Sequence, residues 1–123
     1  MNSVDLSVDS NSKIENAKSS PIAEGVKLLR QTYLENLPIE TFAKQSNVSL
    51  SAFGQLFNKQ YGTSLLRYRN TLRIKRAQQL LENGECTVAE VAYASGFENV
   101  GYFCRYYKKV TGKTPKQNKE SDI

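Results

Sequence analysis

The chain has 123 residues, of which 39% are hydrophobic and 24% charged, and its net charge is +5 at pH 7. That length and composition suit one globular domain, or two very small domains that share a core. There is no histidine, and aspartate occurs only at Asp5, Asp9 and Asp122, all in the tails. These absences argue against Ser/His/Asp or Cys/His catalysis and against a magnesium site held by aspartates. We therefore expect no enzymatic activity, no catalytic residue, no metal and no cofactor.

The N-terminal segment differs in composition from the rest of the chain. Residues 1–20 are rich in serine and asparagine and poor in large apolar groups, which predicts a disordered tail or linker. The segment has no basic start and no apolar run, and no stretch of the chain reaches 18 apolar residues. The sequence therefore predicts neither a secretory signal nor a membrane span.

Helical periodicity begins at Pro21. Apolar residues with helical spacing predict an amphipathic helix and then a short second helix, with inward positions at Ile22, Val26, Leu29 and Tyr33 and at Ile39, Phe42 and Ala43. After the turn "SNVS", Ser49 is a natural N-cap for a third helix that Gly62 closes. A longer helix should then run from about Ser64 to Asn83.

Two further helices are predicted in the last third of the chain. Thr87 and Glu90 form the sequence pattern of a capping box, in which each side chain binds the other residue's backbone N–H. Asn99 is a cap for the following helix, whose apolar stripe consists of Phe103, Tyr106, Tyr107 and Val110. No strand pattern competes, so the fold class is predicted to be all-α.

The chain repeats itself at an interval of 49–50 residues. Matched apolar, alanine and glycine positions include Ile39 and Val88, Ala43 and Ala92, Phe53 and Phe103, Phe57 and Tyr107, and Gly62 and Gly112. Each copy is a short helix, a tight turn and a second helix, which is the pattern of a helix-turn-helix unit. We expect a first unit at 21–63, a linking helix at 64–84, a second unit at 85–117 and a tail at 118–123.

Basic residues are concentrated in the repeated part. Residues 41–123 contain thirteen bases and six acids, and no acid lies between Thr41 and Leu81 or between Asn99 and Lys119. Two acid-free basic blocks in a small domain indicate a polyanionic partner, with nucleic acid the first candidate. Cys86 and Cys104 lie 18 residues apart without a CxxC motif, which fits a reducing, cytosolic setting.

The spans "FGQLFNKQYGTS", "LRIKRAQQLLENG" and "VAEVAYASGFENVGYFCRYYKKVTGKTP" resemble the DNA-binding domain of the AraC/XylS family of bacterial transcription regulators. The resemblance extends over roughly residues 22–117. It implies about seven helices, two helix-turn-helix units joined by a long linking helix, and sequence-specific binding to double-stranded DNA. It also implies a cytoplasmic, nucleoid-associated protein that activates promoters through RNA polymerase. Whether an N-terminal sensor or dimerisation domain exists outside this chain stays open.

The resemblance also implies site residues on the second helix of each unit. Base contacts are expected at Ser51, Gly54, Gln55, Val100, Gly101, Cys104 and Arg105, and phosphate contacts at Asn58, Lys59, Tyr102, Lys108 and Lys109. Gln55 suits adenine and Arg105 suits guanine, whereas Arg73 of the linking helix is expected to be a structural or backbone-facing charge and not a base reader.

Two other classes of function compete with this one. A helix-turn-helix module that binds protein and not DNA is the alternative, and the basic blocks argue against it. An enzyme acting on nucleic acid, such as a repair methyltransferase with related domains, would need ligand partners that the two cysteines lack.

The linking helix would span about 28 Å, which suits two recognition helices in adjacent major grooves.

Overall fold

The computed structural model describes residues 20–120, and this part of the chain is entirely helical. Seven helices follow one another without a strand, at Ala23–Thr32 (α1), Ile39–Gln45 (α2), Leu50–Tyr61 (α3), Leu65–Asn83 (α4), Val88–Ala94 (α5), Val100–Thr111 (α6) and Pro115–Glu120 (α7). The all-α prediction and the expected number of helices are confirmed. Among the described helices, none is both long and apolar enough to cross a membrane. The predicted tail at 1–20 lies outside the described residues except for Ser20, whose Oγ accepts the N–H of Ile22 at 3.1 Å.

Three side chains start the helices that the sequence marked as capped. The Ser49 hydroxyl accepts the N–H three residues later at 3.1 Å, and the Asn99 side chain accepts the equivalent bond at 2.7 Å. Thr87 and Glu90 form the full capping box, with bonds of 2.8 and 3.1 Å. Each bond satisfies a backbone donor that a helix N-terminus otherwise leaves without an intrahelical partner.

The core of the first unit consists of aromatic and aliphatic side chains from α1 to the start of α4. Its buried members include Ile22, Val26, Leu29, Phe42, Phe53, Phe57, Leu65 and Tyr68. The ring of Tyr68 stands edge-on to that of Phe57, with centroids 5.3 Å apart, and its hydroxyl accepts a hydrogen bond from Arg30 Nη1. The first turns of α4 therefore belong to this core.

A separate core holds the second unit together. It contains Ile74, Ala77, Leu81, Val91, Ala92, Phe97, Phe103 and Tyr107. Ala92, Phe103 and Tyr107 are repeat positions of the sequence, whereas Ile74 and Val91, both completely buried, were not predicted to be in the core. The division between the two units falls inside α4, between Asn70 and Thr71. Helix α4 thus contributes side chains to both cores, whereas the sequence analysis treated 64–84 as a separate connector.

The last helix corrects the predicted boundary at 117. Helix α7 begins at Pro115 and continues to Glu120, within the segment assigned to a tail. Thr114 and Gln117 form a second reciprocal cap, with bonds of 2.9 and 3.1 Å. Proline is well tolerated in the first turn of a helix because its missing N–H has no partner there in any case. Lys119 Nζ donates to the Cys86 carbonyl oxygen at 2.6 Å, which ties this helix to the loop before α5.

Candidate nucleic-acid interface

The turns of the two helix-turn-helix units have the same backbone geometry. In the first, Asn47 has a φ of 58°, and the N–H of Val48 donates to the Ala43 carbonyl at 3.1 Å. The same bond recurs 49 residues later at 3.0 Å, where Gly96 has a φ of 90°. Glycine adopts positive φ without steric cost, and asparagine does so more readily than most residues. The repeat in the sequence therefore corresponds to a repeated three-dimensional unit.

Helix α3 of the first unit has a buried face and a polar, solvent-facing side. Its buried residues are Phe53, Phe57 and Tyr61. All five predicted contact residues of this helix are exposed, namely Ser51, Gly54, Gln55, Asn58 and Lys59. A methyl group added at Gly54 would meet nothing within 4 Å. The free protein therefore gives no packing reason for a glycine at this position.

Helix α6 of the second unit presents a more basic face. Five predicted contact residues are exposed there, namely Gly101, Tyr102, Arg105, Lys108 and Lys109. Phe103 and Tyr107 form the buried stripe on the other side. At about 100° per residue, Arg105 lies roughly opposite the centre of that stripe. Its side chain is therefore the one on this helix best directed away from the core.

Val100 and Cys104 do not lie as far outward as the sequence analysis placed them. Both side chains are half-buried and pack against the core of the second unit. Helical geometry explains this, because Val100 is rotated only about 40° and Cys104 about 80° from the centre of the buried stripe. Only part of each side chain is available to a ligand.

Tyr102 combines exposure with aromatic packing. Its relative exposure is 44%, and its ring stacks on Tyr106 with a centroid distance of 5.9 Å and an interplanar angle of 23°. The Phe97 centroid lies 6.2 Å away. The ring is therefore held against the unit, a geometry that suits a hydroxyl donating to a phosphate oxygen.

Some of the basic residues counted in the sequence bind the protein's own backbone. Arg69 Nη1 donates to the Leu37 carbonyl at 3.0 Å, and burial lowers the pKa of Arg69. Arg73 is only 4% exposed, and its Nη1 donates to the Gly96 carbonyl at 2.9 Å. The expectation that Arg73 is structural agrees with these contacts. The acid-free block between 41 and 81 therefore overstates the positive charge that is free to meet a ligand.

Two features were not anticipated from the sequence. One is that Asn47 has the same role in the first turn as Gly96, a glycine that permits a tight turn, has in the second; the two lie 49 apart, so the repeat contained a signal for the pairing. The bond from Lys119 to Cys86 joins segments 33 residues apart, and no sequence pattern pointed to it. Cys86 and Cys104 are free thiols, both half-buried.

Known proteins are similar to this chain in sequence and in fold. The family model described as "Helix-turn-helix domain" matches residues 42–121. The virulence regulon transcriptional activator VirF of Yersinia enterocolitica is 32% identical over 97 residues, which make up 79% of this chain and 36% of VirF.

Two crystal structures are also similar. An AraC-type transcriptional regulator from Chromobacterium violaceum matches with 26% identity and a TM-score of 0.75, over 84% of this chain and 92% of that one. The DNA-binding domain of the global transcriptional factor AdpA, solved with a target DNA, matches with 28% identity and a TM-score of 0.76. That match covers 84% of this chain and 93% of the AdpA domain. The chain spans about a third of the length of the curated relatives it matches.

Proposed function

Because the chain belongs to the AraC/XylS family of bacterial transcription regulators, we propose that it binds specific sequences in double-stranded DNA and activates transcription from its target promoters. The observation that carries this proposal is the repeated unit itself. Each turn is followed by a helix with one side in the core and the other presenting exposed polar or basic groups. A helix placed in this way after a turn is the element that helix-turn-helix proteins insert into the major groove.

The two recognition helices differ in what they offer a base. Gln55 on α3 can donate to and accept from the edge of adenine, whereas Arg105 on α6 has the paired donors that match guanine O6 and N7. The remaining proposed base contacts have short side chains or none, so they would depend on the shape of the groove and on how closely the helix approaches it. They are Ser51, Gly54, Val100, Gly101 and Cys104. Specificity would therefore depend on a small number of hydrogen bonds.

A second group of side chains would hold the protein on the DNA backbone. Lys59, Lys108 and Lys109 bring positive charge, and Asn58 and Tyr102 bring neutral hydrogen-bonding groups, to exposed sites on the same two helices. Contacts of this kind set register and contribute affinity without reading sequence. They also make affinity depend steeply on salt, since each neutralised phosphate releases counterions.

Similar proteins support both parts of the proposal. The AdpA domain was solved with a target DNA, and VirF is named a transcriptional activator. Activation would require contact with RNA polymerase, which in vitro transcription with purified polymerase tests directly. Control by a sensor or dimerisation domain is proposed for the full regulator, because the curated relatives extend well beyond the matched region. We propose that the chain catalyses no reaction. We also propose that it acts at the nucleoid.

Selection of binding sites from random double-stranded DNA, followed by affinity measurements at several salt concentrations, tests the DNA-binding proposal. We expect an enriched motif and a log–log salt slope of several units, with a slope of about −0.9 for each phosphate contacted. Recovery of unenriched DNA with salt-insensitive binding would contradict the proposal and favour a module that binds protein. Non-specific binding with a steep salt slope would contradict sequence recognition only.

A further inference from the structure

Gly101 and Arg105 form a close pair on the exposed face of α6. A methyl group built on Gly101 would lie 3.4 Å from Arg105 Nη1 and 3.3 Å from Asn99 Oδ1. The arginine side chain therefore turns back along the helix, and its guanidinium lies beside the space that a side chain at Gly101 would fill. The direction follows from helix geometry, since long side chains point toward the N-terminus and cover the residue four positions earlier.

The other wall of this space is fixed in place. Asn99 Oδ1 accepts the backbone N–H of Tyr102 at 2.7 Å and so forms the N-cap of α6. A methyl group at Gly101 would therefore only touch the guanidinium and press lightly on the cap, whereas a larger side chain would occupy the space beside the guanidinium and displace the far end of the arginine. An arginine side chain loses rotamer freedom when it is held in one orientation, so a surface that favours one orientation matters for how the guanidinium meets a base.

The first unit lacks this arrangement. At a spacing of 50 residues, Ser51 and Gln55 occupy the positions of Gly101 and Arg105. A serine fills with its Cβ and hydroxyl the space that the glycine leaves open. The glycine of α3 stands instead at Gly54, where an added methyl would meet nothing within 4 Å. Of the two exposed glycines in the recognition helices, Gly54 and Gly101, it is Gly101 that lies beside a guanidinium group.

We propose that Gly101 is a positioning residue for sequence recognition. By leaving out a side chain, it lets the Arg105 guanidinium lie against the first turn of α6, the part of a recognition helix that contacts base edges. Gly101 would then determine how Arg105 reads its base and would not itself supply the contact. This inference rests on the proposed function and narrows it, because a positioning role replaces the base contact proposed above for Gly101.

Binding-site selection with the full chain and with Gly101→Ala, Gly101→Leu, Arg105→Ala and the two double variants tests the proposal. The wild type defines the motif, and Arg105→Ala should reduce the preference at one base pair by about 5- to 150-fold. Gly101→Leu should weaken the preference at that same base pair, and Gly101→Ala, which adds a smaller group, should weaken it less. In the Arg105→Ala background neither substitution should reduce it further, because the side chain that they displace is already absent.

Gly54→Ala is the matched control for helix stability, because it also replaces an exposed glycine inside a recognition helix. Both alanine variants should melt no lower than the wild type, so a change of motif in Gly101→Ala would not come from a loss of helix stability. A loss of affinity on Gly101→Ala that persists in the Arg105→Ala background would overturn positioning in favour of direct contact. An unchanged motif for both Gly101 variants would overturn it as well. A wild type that enriches no motif would instead defeat the proposed function on which the inference rests.

Discussion

Four of the six arginines of this chain differ clearly in what surrounds their guanidinium groups. Arg30, Arg69 and Arg73 donate to Tyr68, Leu37 and Gly96 within their own units. Arg105 instead stands on the exposed side of α6. An arginine held by the protein's own carbonyl groups stabilises the fold, whereas an exposed one costs little to leave free for a ligand.

Arg105 and Lys108 should differ in how their loss affects DNA binding. Arg105→Ala should cost about 1–3 kcal/mol on the preferred site and relax selection at one base pair, because a bidentate base contact is lost. Lys108→Ala should weaken all sequences alike and reduce the magnitude of the salt slope by about one unit, because a phosphate contact is lost. Titration of matched and mismatched duplexes at several salt concentrations separates the two. Equal losses on both duplexes for Arg105→Ala would contradict its reading role.

Arg73 should be important for stability. Its side chain is nearly buried, donates to the Gly96 carbonyl and lies 5.9 Å from the centre of the Phe97 ring. Arg73→Met removes a charged hydrogen bond at the turn of the second unit and should lower the free energy of unfolding by about 1.5–3 kcal/mol. Arg76→Met, at an exposed position of the same helix, is the control and should change it by less than about 0.5 kcal/mol. Denaturant titration measures both, and similar values for the two variants would refute the structural role.

Two glycines inside helices should respond in opposite ways to alanine. A methyl group at Gly25 would press against the Phe42 carbonyl and the Phe53 ring and would lie 2.8 Å from Ser46 Oγ. Gly25→Ala should therefore destabilise the protein by about 1–3 kcal/mol through overpacking. Gly54→Ala meets open space and should stabilise it by up to about 1 kcal/mol. Thermal melting checks both signs, and a higher melting temperature for Gly25→Ala would show that α1 can move away.

The ends of α3 and α6 are determined by short polar caps and by glycine. Helices α3 and α6 both end at a glycine with left-handed geometry, Gly62 with a φ of 73° and Gly112 with a φ of 86°. A residue with a side chain adopts that geometry only with strain. Caps of this kind involve residues within four positions of one another, so they are visible in the sequence before any tertiary contact is known.

The two N-caps that precede α5 and α3 offer a test of this local control. Thr87→Ala breaks the capping box and should lower stability by about 1 kcal/mol, with amide protection lost first in α5. Ser49→Ala, which removes a single cap bond at α3, should lose protection in the first unit instead. Hydrogen exchange followed residue by residue distinguishes the two. If Thr87→Ala lowered DNA affinity with unchanged melting and unchanged protection, Thr87 would have to contact DNA directly.

Helix α4 joins the two units as one continuous helix of 19 residues. At 1.5 Å per residue it is about 28 Å long, compared with roughly 34 Å between successive major grooves on one side of DNA. We propose that the two recognition helices bind adjacent grooves of one asymmetric site. The alternative is a dimer in which one unit of each chain reads DNA.

A change of helical phase inside α4 tests this arrangement. Two alanines inserted between Asn70 and Thr71, where the division between the units falls, would rotate one unit by about 200° relative to its former orientation. Under the single-site proposal the footprint should shrink to one groove or specific binding should disappear, while helicity is retained. An insertion of seven residues, close to two full turns, is the control for rotation. A full footprint with near-normal affinity in the two-alanine variant would favour the dimer.

Local chemistry made much of this protein predictable from its sequence. The caps at Ser49, Thr87 and Asn99 depend on neighbouring residues and start three helices, α3, α5 and α6. The 49–50-residue repeat depends on spacing alone and corresponds to two turns of the same geometry. The destination of individual side chains was not predictable in the same way. That Arg73 reaches the Gly96 carbonyl and that Lys119 reaches Cys86 depends on segments 23 and 33 residues away. The half-burial of Val100 and Cys104 likewise depends on which neighbouring surface covers the edge of α6. A charge or an apolar group is visible in the sequence, but its exposure is a property of the packing around it.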